Sequence, residues 1–289
     1  MASKELKEPL TAAHAISTLP APWDQAKPGR PMVMSHRAGG NEAPENTLAA
    51  LRCAEAAGSR VMQMDVLQTA DGTPVVFHDI SLKRATGVDK DIRQVPTAEL
   101  PLYKEYLDPL IGLPGTLPIH TTEFKDGRRI ETLAELLEAA GPDTYLQLEF
   151  WDENQTLIER EALPEAPRIL PMSEVYQLYF KWFTGRLKPP PTGTVLNIPL
   201  FTGWESDFIK KIRLPWYKKV VFVARLLFMK WLLPRPKLFK WLNAHGIPVL
   251  VFILNRPQDW EAALKLSGIT AIMTDSPKAL EKYLADREA

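Results

Sequence analysis

Cysteine is almost missing from this 289-residue chain. The single Cys53 cannot close an intrachain disulfide or build a thiolate zinc site, so disulfide scaffolds and zinc fingers are excluded and a reducing compartment is expected. No uninterrupted apolar run reaches the 18 or more residues that a membrane-spanning helix needs. The opening run MASKELKEPLTAAHAIS carries Lys4, Glu5, Lys7 and Glu8, so no secretory leader is expected. The expected location is intracellular: cytoplasmic, or peripheral at an internal membrane such as the endoplasmic reticulum. Acidic residues are absent from one long stretch. None occurs between Asp207 and Asp259, where eleven Lys or Arg fall, and the rest of the chain carries 24 basic against 35 acidic side chains.

What is present suffices for a full hydrophobic core. Hydrophobic residues make up 45% of the chain, and at this length folding buries about 75% of the accessible surface without metal or disulfide staples. Residues 1–31 hold five prolines and no sustained periodicity, which reads as an irregular N-terminal arm before one domain over 32–289. Short apolar runs then alternate with helical patterns. Strands are expected at Met32–His36, Val61–Val66, Val75–His78, Tyr145–Phe150, Val195–Leu200, Val249–Leu254 and Ile269–Thr274. Helices are expected at Asn46–Ala57, starting from Asn46 or Thr47, at Thr132–Ala140 and at Trp260–Leu266. This alternation implies an α/β fold with a parallel sheet, and for this length a (β/α) TIM-type barrel. Between Phe150 and Val195 only a helix at 155–162 and a weak strand at 168–170 can be placed, so the barrel is either one βα unit short or irregular there.

Ionisable groups gather at strand ends. His36 and Arg37 close the first strand, Asp65 lies in the second, His78 and Asp79 close the third, and Glu149 ends the fourth. Barrel active sites are built at that rim. A lone strand-end histidine is more often structural, and Glu149 alone could be an ordinary ion-pair partner. Together, two histidines beside carboxylates match what phosphodiester hydrolysis requires: one group to take a proton from the attacking oxygen, one to protonate the leaving oxygen, and a hard cation to neutralise phosphate charge. Arg37 supplies a forked cation suited to phosphate. His14, His120 and His245 have no companion in this pattern.

The run SHRAGGNEAPENTLAALRCAEAAGSRVMQMDVLQTADGTPVVFHDISLKRATG resembles the amino-terminal signature of the glycerophosphodiester phosphodiesterases. That pattern has His-Arg-Gly, Pro-Glu-Asn-Thr, a Glu-x-Asp strand, a Thr-x-Asp-Gly turn, and His-Asp followed by Leu-x-Arg-x-Thr. RIETL (129–133), LEF (148–150), VFILN (251–255) and MTDSP (273–277) continue the likeness, and PLYKEY (101–106) is similar to the animal branch that acts as a lysophospholipase D. The resemblance implies a phospholipase-C-like phosphodiesterase barrel with a divalent cation, Mg or Ca, and a glycerophosphodiester or lysophospholipid substrate. It implies His36 and His78 as the acid–base pair, Arg37 on the phosphate, and Gln63, Asp65 and Glu149 as metal ligands. Gln63 stands where the family has glutamate, Trp151 where it has lysine, and Ala38 where it has glycine. Gln63 and Trp151, together with the shortened barrel, leave open an alternative, a non-catalytic descendant that binds phospholipid head groups at a membrane surface.

The segment 208–242 interleaves lysines and arginines with Trp216, Tyr217, Phe222, Phe228, Trp231, Phe239 and Trp241. Val220–Leu233 is too short and too charged to span a bilayer but suits its interface, so a membrane surface is the expected partner. A buried barrel helix with solvated lysines is the other reading. No nucleic-acid-binding motif is present, and no nucleic-acid partner is expected.

Overall fold

The computed structural model describes residues 23, 29–109, 117–150, 168–190, 193–203, 209 and 214–288. Trp151, the expected helix at 155–162, Lys210, Lys211, Arg213 and most of the arm at 1–31 lie outside the described residues. The chain divides into two compact units, one built on Met34–Ala166 with Asp275–Ala285, the other on Pro167–Thr274 with Gln25–Val33.

The first unit begins where β1 (Met32–His36) leads into a turn and α1 (Leu48–Ala56). Thr47 starts this helix, its Oγ1 accepting from the Ala50 N–H at 3.1 Å. Gly58, at φ +92°, ends it, with the Gly58 and Ser59 amides returning to Glu55 and Ala54. The chain then enters β2 (Val61–Gln68), parallel to β1 with His36 opposite Gln63. Side chains alternate across a strand. Met62, Met64 and Val66 accordingly pack with Leu51, Ala54 and Leu136 in the core, while the odd positions Gln63 and Asp65 face the other way.

β3 (Pro74–Val76) corrects one expectation. It does not run parallel but forms an antiparallel hairpin with β2, with Val66 opposite Val76. The physical reason is length: Thr69–Thr73 turns tightly, with Gly72 at φ +82° and Thr69 N–H bonded to Thr73 O, and so short a connection cannot cross over. A short α2 (Lys83–Thr86) follows, then a separate two-stranded sheet of β4 (Tyr106–Leu107) and β5 (Ile119–His120). α3 (Leu133–Ala139) opens on a reciprocal capping box between Thr132 and Glu135. It delivers β6 (Tyr145–Phe150), parallel to β2 on the side away from β1, with Asp65 opposite Glu149.

The second unit continues with β7 (Arg168–Ile169), α4 (Met172–Phe183), β8 (Thr194–Pro199), α5 (Trp216–Leu232), α6 (Pro236–Ala244), β9 (Val249–Phe252), α7 (Pro257–Leu264) and β10 (Ala271–Thr274). Its strands pair in parallel in the order β7, β8, β9, β10. α8 (Pro277–Glu288) closes the chain. Among the described residues seven strands enter parallel pairs, against eight in a complete (β/α) barrel.

Candidate active site

Register assembles the site. Asp65 and Gln63 share a face of β2, Glu149 sits opposite Asp65 on β6, and His36 sits opposite Gln63 on β1. The hairpin supplies the second histidine: Phe77 N–H bonds to Asp65 O at 2.9 Å, which returns His78 toward Asp65. Both histidines act electrostatically on Glu149. Its carboxyl is pushed above the usual range, first by burial and then by the charge of Asp65, while His36 and His78 oppose the rise. The structure thus brings together all six residues singled out from sequence: His36, Arg37, Gln63, Asp65, His78 and Glu149.

Each histidine carries a carboxylate on Nδ1. His36 Nδ1 lies 2.6 Å from Asp275 Oδ1, and His78 Nδ1 lies 2.6 Å from Asp79 Oδ1. Such a partner fixes tautomer and ring orientation, so proton exchange with a substrate falls to Nε2. Asp275 is held in turn by the 37–46 loop. Asn41 N–H bonds to its carbonyl at 2.9 Å, Asn41 Nδ2 donates to Ser276 Oγ, and Glu42 accepts from the Lys278 and Ala279 amides. Asp79 also accepts from Arg84 Nε at 2.5 Å. Burial is the largest influence on Asp79 and would raise its carboxyl, but the hydrogen bonds from His78 and Arg84 outweigh it and hold the group down at about 2.

Arg37 and Ala38 adopt left-handed backbone angles, φ 50° and 59°, and Gly39 follows at φ 100°. Two non-glycine residues in that region carry strain, which persists where surroundings enforce it and marks functional turns. Gly39 is required sterically as well, because a Cβ there would come within 2.9 Å of Pro277 Cγ. The turn buries Arg37, whose Nη1 donates to Glu45 at 3.1 Å and whose Nε lies 3.4 Å from Asp65 Oδ2 without a hydrogen bond of its own. Glu45 also accepts from Arg84 at 2.5 Å. A chain of alternating charges therefore runs Arg37, Glu45, Arg84, Asp79, His78. His36, Arg37, Gly40, Asn41, Glu45, Pro109 and Asp275 line a small opening at the site.

The acid pair is already bridged by protein donors. Gln63 Nε2 donates to Asp65 Oδ1 at 2.9 Å and to Glu149 Oε2 at 3.2 Å, while Gln63 Oε1 accepts the Arg37 N–H at 3.0 Å. Asn46 Nδ2 donates to the other Asp65 oxygen at 2.9 Å. Hard cations take oxygen ligands. The donor set as arranged does not fit one: the expected ligand Gln63 turns its oxygen away to a backbone amide and presents hydrogens to both carboxylates. Among the described residues no group of three or more His, Cys, Asp or Glu side chains is placed to hold a metal ion.

Three contributors carry no role in the sequence alone, Asp275, Asp79 and Arg84, whereas Pro44, Glu45 and Asn46 are expected to shape the loop over the site. Asn46 was open as a helix cap, but Thr47 caps α1, and Asn46, at φ 57°, serves Asp65 from both ends of its amide. Asp275 directly follows β10, a strand-end position like that of Glu149 in β6, which was the available signal.

Residues 36–279 match the family model described as "Glycerophosphoryl diester phosphodiesterase family". Among curated proteins, the chain is 27% identical to human lysophospholipase D GDPD3, over 95% of this chain and 90% of that protein. It is 30% identical to human lysophospholipase D GDPD1, over 87% of this chain and 85% of that protein. Among solved structures, it superposes with TM-score 0.57 and 20% identity on the glycerophosphoryl diester phosphodiesterase domain of a Mycobacterium tuberculosis protein, covering 88% of this chain and 98% of that one. An Oleispira antarctica phosphodiesterase in complex with the product sn-glycerol-3-phosphate gives TM-score 0.52 and 22% identity, covering 88% and 97%. The fold is the TIM-type barrel of these structures.

Proposed function

We propose, for a chain that belongs to the glycerophosphoryl diester phosphodiesterase family and so to the phosphodiester hydrolases, that its substrates are glycerophosphodiesters or lysophospholipids and that it works at a membrane surface. The observation that carries the reading is the pair of histidines, each fixed at Nδ1 by its own carboxylate at 2.6 Å. Water attacks phosphorus while one histidine takes its proton. The bond to the head-group oxygen breaks, and the other histidine protonates the departing alcohol, leaving glycerol phosphate or lysophosphatidic acid. Arg37 offers its guanidinium to the phosphate oxygens. A divalent cation, general in the family, would supply charge neutralisation when bound. Because the donors around Asp65 and Glu149 do not fit one, no step here passes through it.

The membrane reading rests on α4 and α5. Tyr217, Val220, Val221, Leu227, Phe228 and Trp231 recur at helical spacing and are exposed, and on α5 only Leu232 is buried. Phe183 of α4 stacks parallel to Trp231 at 6.4 Å, with the Arg235 guanidinium 4.7 Å from the Trp231 ring. Aromatic rings flanked by Lys218, Lys219, Arg225 and Lys230 suit the headgroup zone of an anionic leaflet. Among the described residues no helix is long and apolar enough to cross a membrane.

Gln63 favours a second reading, a non-catalytic descendant that binds head groups. One assay separates the two: choline release from lysophosphatidylcholine and from glycerophosphocholine. Release supports the hydrolase, and the ratio between substrates gives its lipid preference. Binding of both without release supports the descendant.

A further inference from the structure

Asp65 and Glu149 are registered neighbours on parallel strands, and both are largely or fully buried. Like charges directly opposite one another repel, and burying them without compensation is costly. In this chain the compensation is an amide. Gln63 Oε1 is tied to the Arg37 N–H at 3.0 Å, and that bond fixes which end of the carboxamide faces the acids. The NH2 end then meets Asp65 at 2.9 Å and Glu149 at 3.2 Å. Glutamate here would keep the bond to the Arg37 N–H with one oxygen and aim the other at two carboxylates. Three acids converging on one point require a cation. Glutamine has the same shape and removes that requirement.

We infer that the Gln63 carboxamide takes the place of a divalent cation between Asp65 and Glu149, so that this chain holds its acid pair in register without one. Two hydrogens of one side chain do what a bridging ion does for a triad of carboxylates. The site is thereby assembled at any cation concentration, and the fixed positive charge left to meet a substrate's phosphate is that of Arg37.

The test measures binding and melting rather than turnover, so its failure and the failure of the hydrolase reading are told apart. The full chain is titrated calorimetrically with Mg²⁺, Ca²⁺ and Mn²⁺, and melted in each and in chelator. The expected result is no saturable binding stronger than about 10⁻³ M, the weak end of protein calcium sites, and one melting temperature throughout. Gln63→Glu is expected to bind one cation and to melt about 5 °C higher at a concentration of about 100 times Kd than in chelator. Should that variant fail to fold, Gln63→Ala decides: with the bridge gone and no charge added, its melting temperature is expected to rise with cation where the parent's does not. Stoichiometric binding to the parent that is lost in Asp65→Asn overturns the inference. So does a cation response that stays absent from every folded variant at Gln63.

Discussion

His36 and Asp275 stand 239 positions apart in the chain and meet at 2.6 Å, Nδ1 to Oδ1. Both are buried, and the 37–46 loop clasps Asp275 and the residues after it by four hydrogen bonds. Removing the charge of Asp275 while keeping its shape should therefore disturb the tautomer of His36 more than the fold. Asp275→Asn is expected to lower kcat by about 10–100-fold with little change in KM. Steady-state choline release checks it, and a change confined to KM would assign Asp275 to substrate binding.

Arg84 joins Glu45 to Asp79 across the top of α2, both contacts at 2.5 Å. Without it the buried Glu45 keeps only Arg37, and Asp79 keeps only His78. Breaking a buried ionic network by removing one partner costs about 3 kcal/mol, so Arg84→Ala is expected to lower the unfolding free energy by that amount, read as a lower urea midpoint at unchanged m-value. The acid limb should change as well. Asp79 is held down at about 2, so the stability it contributes is present above its unfolded value near 4 and is lost as pH falls through about 2. That loss should shrink in the variant.

Glu131 behaves in the opposite sense. It is fully buried, and burial lifts it to about 8 against the weaker opposing pull of backbone amides and Arg129. The folded protein therefore binds a proton here that the unfolded chain releases near pH 4.5. Stability from this group is complete below that pH and is lost as pH rises through about 8. Glu131→Gln keeps the neutral form at every pH and is expected to gain about 2–4 kcal/mol at pH 8 and almost nothing at pH 4. Urea unfolding at the two pH values checks the difference.

The strands and helices of the first unit were legible because periodicity and caps act locally. β1 and β6 occupy the expected residues, α1 and α3 fall within the expected spans, and β2 runs two residues longer. The direction of β3 was not read, although the five-residue turn at 69–73 decides it. α4 was missed inside a proline-rich stretch, even though Val175, Leu178 and Tyr179, its buried face, have helical spacing. Residue types at the site were likewise legible from strand ends, whereas their hydrogen bonds were not. Sequence places an amide at Gln63 but cannot say which end faces Asp65. That depends on the Arg37 N–H, which the strained turn at 37–39 directs toward β2.

The basic aromatic segment forms a helix with one exposed apolar stripe, and a buried barrel helix is not what α5 is. If the stripe meets lipid, Val221→Asp with Phe228→Asp should lower affinity for phosphatidylserine vesicles by at least about tenfold. Raising salt should weaken the parent's binding further, because the basic flanks act through screened charge. Vesicle sedimentation of parent and variant, with circular dichroism to show both folded, checks this.

The central claim is that His36 and His78 exchange protons with a phosphodiester at a site held together without a bridging cation. Choline release from lysophosphatidylcholine by the parent, His36→Ala and His78→Ala, each in chelator, tests it most directly. The account predicts turnover by the parent in chelator and a fall of about 10²–10⁴-fold in each variant. Turnover that persists undiminished in both variants would contradict it, as would turnover that vanishes in chelator and returns with Mg²⁺ or Ca²⁺.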